Sequence, residues 1–109
     1  SLILLVVTPD IVALYQTKWA LSVIEGLLFP PSLVKIVLNR AESWGGVGSS
    51  DVRTALPCEV IGLVPSDGRT VGTSINQGVP LVTAYKTTKV AEAYRRLAET
   101  LADFDRART

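Results

Sequence analysis

The chain has 109 residues, room for one domain built around one core. Apolar residues make up 48% of it and charged residues 19%, with a net charge of +1. That balance excludes charge-driven capture of nucleic acid or of an acidic substrate, and it is slightly apolar for so small a domain. We therefore expect part of the surface to be covered by a missing part of the same protein or by another subunit.

Histidine is absent and Cys58 is the single cysteine. This removes the commonest neutral-pH acid/base and the commonest metal ligand. It also removes any internal disulfide and any zinc or iron–sulfur spacing. Cys58, beside a strand, reads as a small buried hydrophobe. No two aspartates fall in a spacing that suggests paired acid/base work.

Leu2 to Val7 is an unbroken apolar run. It is too short to span a bilayer and lacks the basic start and cleavage site of a signal peptide. Without alternation it reads as a strand buried on both faces, as at the centre of a parallel sheet. The chain opens almost inside this strand without a methionine, which we read as a fragment or a chain whose start is not shown. Thr8-Pro9-Asp10 then supplies a cap, a first-turn proline and an acid for the positive helix end. Ile11, Leu14, Tyr15, Lys18, Trp19, Ser22, Val23 and Gly26 recur at helical spacing. They predict a helix from Pro9 to about Leu27 with its apolar members on one face, closed by Pro30-Pro31.

A second strand is expected over Leu33 to Leu38, running into Asn39-Arg40, with Lys35 near water at its start. Ala41 to Ser50 is a Gly/Ser-rich loop without the phosphate-loop pattern, in which Trp44 is expected to tuck back onto the body. A short helix over Asp51 to Leu56, capped by Ser49 or Ser50, ends at Pro57. The third strand is Glu59 or Val60 to Val64, stopped by Pro65. Asp67 sits where a helix can begin, and the stretch from Thr70 to Asn76 looks helical until Gly78-Val79-Pro80. Val79 to Val82 is expected as loop or edge. The closing helix begins after Thr87-Thr88 and runs to about Asp105, with a frayed tail. Val90, Tyr94, Leu97, Leu101 and Phe104 form its stripe, widened by Ala91, Ala98 and Ala102. Its arginines are interleaved with acids, as on a solvated face.

The fold class is thus α/β: a partial three-layer α/β/α arrangement with about three parallel strands over residues 1–109. Two strand ends, Leu38-Asn39-Arg40 and Pro65-Ser66-Asp67, can form one site at the carboxyl edge of the sheet, where α/β domains bind ligands. Thr8 and Asp10 can border it. Each piece also has a plain explanation. Asn39 suits a strand-end turn, Arg40 can pair with Glu42 or Asp67, and Asp67 can simply start a helix.

Taken together, several stretches resemble the C-terminal half of the MinD/ParA-type P-loop ATPases, also called deviant Walker ATPases. They are Leu5 to Asp10, Val37-Leu38-Asn39-Arg40, Gly62-Leu63-Val64-Pro65-Ser66-Asp67, Ser74 to Val82 and the closing amphipathic helix. The nearest subgroup is the CpaE/TadZ-like proteins of pilus assembly and polar localisation. The resemblance implies that Asn39 bonds the adenine ring of ATP, with Arg40 at the rim of the pocket. It further implies that Pro65, Ser66 and Asp67 wall the base, and that Asn76 to Pro80 lies near the nucleotide and a dimer face. It also implies magnesium in the full-length parent, a homo-oligomer, a cytoplasmic location peripheral to the inner membrane, and partners in membrane-associated secretion or pilus machinery.

The phosphate loop, both switch regions and every catalytic group of that family would precede Ser1. No catalytic or metal-binding residue is assigned here, and catalysis is not expected from this chain alone. The alternative is a non-catalytic dimerisation or docking module that has lost nucleotide binding. A receiver-like domain ranks lower, because no acidic cluster closes the first strand.

Overall fold

The computed structural model describes residues 2–41 and 48–108. The expectations for the glycine loop and Trp44, and for Glu42 as a partner of Arg40, lie outside the described residues. Three strands, β1 (Ile3–Val7), β2 (Val34–Asn39) and β3 (Glu59–Val64), form a parallel sheet in the order β1-β2-β3. Between and after them run α1 (Ile11–Gly26), α2 (Ser49–Ala55), α3 (Gly68–Gln77), α4 (Leu81–Ala84) and α5 (Lys89–Arg108). A short 3-10 turn, Pro31–Leu33, moves the start of β2 one residue later than expected.

Successive side chains of a strand point to opposite faces, and the central strand shows why both faces are covered. Ile36 and Leu38 pack with Val7, Leu14 of α1, and Val52 and Leu56 beside α2. Val37 packs on the other face with Val64 and Val90, joined by Val71, Leu81 and Leu97 from α3, α4 and α5. The result is three layers, helices on both sides of the sheet. Between Ile36 and Val37 the β2–β3 register slips, so that Val60 opposes Ile36 but Gly62 opposes Val37. The extra residue, Ile61, joins the α5-side core. Lys35 pairs with Glu59 across the strands at 2.9 Å and lies 5.3 Å from the centroid of the Phe104 ring. Cys58 packs against the α1-side core, and burial pushes its thiol above the ordinary range, which disfavours the reactive thiolate.

Several expectations need correction. β1 is an edge of the sheet among the described residues, not its centre, and Val6 is 65% exposed. Among the described strands β1 pairs with β2 alone, while α5 packs against β3. α1 begins one residue beyond Asp10, which is its cap. Of the expected apolar face of α1 only Leu14 is buried. Leu14 and Thr17 are buried, whereas Ile11, Tyr15, Trp19 and Val23 are exposed, Trp19 at 72%. A helix apolar nearly all round carries no periodic signal for the side that meets the sheet. Gly48, not a serine, caps α2, its amide donating to the Asp51 carboxylate at 3.2 Å. Leu81–Ala84 is helical, because Pro80 starts a turn there rather than limiting a strand. α5 runs to Arg108, past the expected end near Asp105.

Two side chains occupy left-handed backbone, Leu28 with φ 62° and Arg40 with φ 57°. Leu28 follows the last turn of α1, its amide donating to the Glu25 carbonyl at 3.0 Å, and it is 90% exposed. Glycine is the residue that position favours. Leu28→Gly is therefore expected to raise stability by about 1 kcal/mol, read as a higher midpoint in urea with an unchanged slope. A lower midpoint would mean that Leu28 makes a stabilising contact.

Candidate functional site at the carboxyl edge

Asn39 is the last residue of β2 and lies opposite Val64, the last residue of β3. Both strands point their carboxyl ends the same way, so the two following turns meet. After Asn39 the chain reverses through Arg40 in left-handed conformation. The Asn39 Oδ1 accepts the Arg40 amide at 3.1 Å, a local turn bond of the kind asparagine favours. The Ala41 amide then donates to the Val64 carbonyl at 3.0 Å and ties the two turns together. Oδ1 keeps a second lone pair and the side-chain NH2 keeps its donors, so the Asn39 amide can still address a ligand.

On the β3 side, Pro65 ends the ladder and Asp67 caps α3. Its Oδ1 accepts the Thr70 amide at 3.1 Å. Bonds from the Thr70 side chain and backbone hold the Asp67 carboxyl below the ordinary carboxylate range. The same device recurs at α1. The Asp10 carboxylate accepts from the Ala13 amide and the Thr8 hydroxyl, each at 2.8 Å, and its pKa is likewise lowered, chiefly by the Ala13 bond.

The five residues singled out by sequence, Asn39, Arg40, Pro65, Ser66 and Asp67, line one cavity of about 230 Å³. Gly68 and Val71 of α3 and Val90 and Tyr94 of α5 complete its wall, with Val64. Val64 and Val90 are 3% and 1% exposed, so the floor is apolar while amide, hydroxyl and carboxylate groups stand at the sides. Sequence reasoning missed Val90 and Tyr94 as site residues. Their one signal, an i, i+4 pair on an amphipathic helix, says only that they share a face.

Thr8, Asp10 and the stretch Asn76 to Pro80 do not line this cavity. The Asn76 to Pro80 stretch instead ends α3. Gly78 takes φ 67°, the Ser74 hydroxyl donates to the Val79 carbonyl at 2.6 Å, and Gln77 accepts from the Tyr85 hydroxyl at 2.6 Å. A larger cavity of about 440 Å³ shares Pro65 and is lined by Ala41, Leu63, Lys89, Glu92, Ala93 and Arg96. Two of its charges, Glu92 and Arg96, pair with each other at 2.8 Å. The smaller cavity is the one where the two strand-end turns meet, and we take it as the candidate site.

The smaller cavity suits a flat, polar-edged group better than a whole nucleotide, since drug-sized sites run from about 300 to 1,000 Å³. Among the described residues no cluster of acids or cysteine could hold a metal ion, and no helix is long and apolar enough to cross a membrane. The apolar floor and polar lining of the cavity are compatible with a flat heterocycle.

No family model and no curated protein matches the chain. Solved structures do. The MinD cell division protein of Aquifex aeolicus is 23% identical with a TM-score of 0.78, over 92% of this chain and 43% of its own. The septum site-determining protein MinD complexed with Mg-ADP, from Pyrococcus horikoshii OT3, is 22% identical with a TM-score of 0.77, over 90% of this chain and 40% of its own. A ParA family ATPase from Chlorobium tepidum TLS is 19% identical with a TM-score of 0.73, over 83% and 37%. At these identities the likeness defines the fold, which is that of the MinD/ParA-type ATPases. The chain spans less than half the length of each of these proteins.

Proposed function

We propose that this chain is the base-binding part of a MinD/ParA-like ATPase domain whose parent acts in spatial positioning or pilus assembly, nearest the CpaE/TadZ-like proteins. The observation that carries this is the single cavity into which two turns, distant in sequence, bring Asn39, Arg40, Pro65, Ser66 and Asp67. It lies at the carboxyl edge of a parallel sheet, the usual ligand side of such folds. In this reading the Asn39 NH2 donates to a ring nitrogen of adenine, the turn from Pro65 to Asp67 walls the ring, and Val64 and Val90 keep water from beneath it. Residues outside this chain would hold the phosphates and magnesium. In support, a structural neighbour is a MinD complexed with Mg-ADP.

The parent would work beside a partner surface or a second copy, peripheral to the membrane. The exposed Ile11, Tyr15, Trp19 and Val23 of α1 and the exposed Val6 at the β1 edge are what a further segment or subunit would cover. The same exposed faces favour the second reading, a dimerisation or docking module without nucleotide. Titration calorimetry with ATP and magnesium on the full-length protein carrying this chain separates the two. Asn39→Ala is expected to weaken binding about 5- to 10-fold, the loss of one hydrogen bond to the base. Unchanged affinity would remove Asn39 from the site. Absence of any binding to the unmodified protein would favour the docking module.

A further inference from the structure

We infer that Tyr94 of α5 is the platform on which the adenine base stacks, and that its ring rather than its hydroxyl makes this contact. The inference rests on the base-site reading above and adds a residue to which neither the sequence motifs nor the strand-end turns point. Among the described residues lining the cavity Tyr94 is the single aromatic. Apart from the Arg40 guanidinium, the others offer edges and aliphatic groups, whereas a heterocycle gains most from a flat aromatic face. Tyr94 is 40% exposed, while Val90, one turn earlier on the same helix, is 1% exposed. The valine belongs to the core, and the tyrosine above it stands at the mouth.

No hydrogen bond anchors the Tyr94 hydroxyl to a described residue. Tyr85 differs, since its hydroxyl is committed to Gln77 at 2.6 Å. A ring half in solvent, untethered at its tip and facing a polar-edged cavity, is a surface still able to be covered. The same cavity is lined by Asn39 and the turn from Pro65 to Asp67, which belong to the strand ends rather than to α5. A base lying on the ring would therefore keep its hydrogen-bonding edge toward the strand ends. Tyr94 would be a binding residue that sets affinity for the base and leaves phosphate contacts alone.

The test uses the full-length protein that carries this chain, with two probes, ATP with magnesium and inorganic tripolyphosphate with magnesium. Tyr94→Ala is expected to weaken ATP about 10-fold and leave tripolyphosphate unchanged, while Tyr94→Phe binds ATP as the unmodified protein does. In NMR the adenine H2 and H8 signals should move upfield on binding, and this shift should vanish in Tyr94→Leu.

If Tyr94→Ala binds ATP normally while Asn39→Ala does not, the base site stands and Tyr94 is not its platform. If Tyr94→Phe loses as much as Tyr94→Ala, the hydroxyl is the contact and the inference fails. If ATP and tripolyphosphate weaken together in Tyr94→Ala, the side chain merely supports the fold. If neither Asn39→Ala nor Tyr94→Ala affects ATP, both the inference and the base-site reading fall.

Discussion

Leu38→Ala should cost the fold about 2–5 kcal/mol, the range for deleting a fully buried leucine side chain. Leu38 is 0% exposed and sits where three elements converge, packed with Val7 of β1, Leu14 of α1 and Val52 of α2. No solvent can enter to replace the lost methyl groups, and the sheet cannot close up without breaking the β1–β2 or β2–β3 ladder, both of which pass through this residue. The cavity term should therefore add to the lost transfer energy rather than relax away. Leu63, its register partner on β3, is the control. It is 42% exposed, so Leu63→Ala should cost below about 1 kcal/mol. The readout is the urea midpoint at constant slope, with both variants followed by circular dichroism. Equal losses in the two variants would mean that the core is not centred on β2. Because Asn39 follows Leu38 directly, the leucine variant should also loosen the strand end that carries the site.

That coupling between core and site explains what the sequence could and could not disclose. The strands were legible because each is a short apolar run bounded by proline, glycine or asparagine. β3 in particular begins at Glu59 and ends before Pro65 as expected. The five candidate site residues were legible because strand ends and turns are written locally, in Asn39-Arg40 and Pro65-Ser66-Asp67. Their meeting in one cavity follows from parallel neighbours, a topological consequence of strands separated by helices.

What stayed hidden depends on which surfaces touch. The side of α1 that meets the sheet could be read only in part: Leu14 was placed correctly, but apolar residues run nearly all round the helix and tertiary packing left Ile11, Tyr15, Trp19 and Val23 outside. The cap of α1 went to Asp10 rather than Thr8, because a carboxylate can accept the Ala13 amide and the Thr8 hydroxyl at once. The place of β1 in the sheet was misjudged for a related reason. An apolar run reports that both faces will be covered in the finished assembly, whereas Val6 is uncovered among the described residues. Val90 and Tyr94 reach the cavity only through the way α5 lies across β3, a contact about fifty residues distant in sequence from the Asn39 turn.

How closely α5 can lie there is set by Gly62, and Gly62→Val should show it. A Cβ at this position would stand 3.1 Å from the Leu97 Cδ1 and 3.8 Å from the Val37 Cγ2. The first distance is tighter than most packed carbon contacts, but the atom met is the free end of a leucine. Gly62→Ala should therefore be absorbed by a small rotation of Leu97 and cost below about 1 kcal/mol. Valine adds two further methyl groups between β3 and α5, where Leu97 and Val37 leave little room, so about 1–3 kcal/mol of overpacking is expected.

The functional consequence is separate from the stability loss. Tyr94 and Val90 precede Leu97 by about one and two turns of α5, so lifting the helix at Leu97 draws the α5 wall of the cavity away from Asn39 and Asp67. If the base-site proposal holds, Gly62→Val should weaken adenine-nucleotide binding in the full-length protein by more than Gly62→Ala does, even at a temperature where both are fully folded. Shortening the opposing side chain supplies the decisive comparison. Gly62→Val combined with Leu97→Ala restores the lost space, and it should be more stable than the sum of the two single changes implies. Simple additivity in that double variant would show that the two side chains do not compete for the same volume. The approach of α5 to β3 would then have to be set elsewhere along the helix.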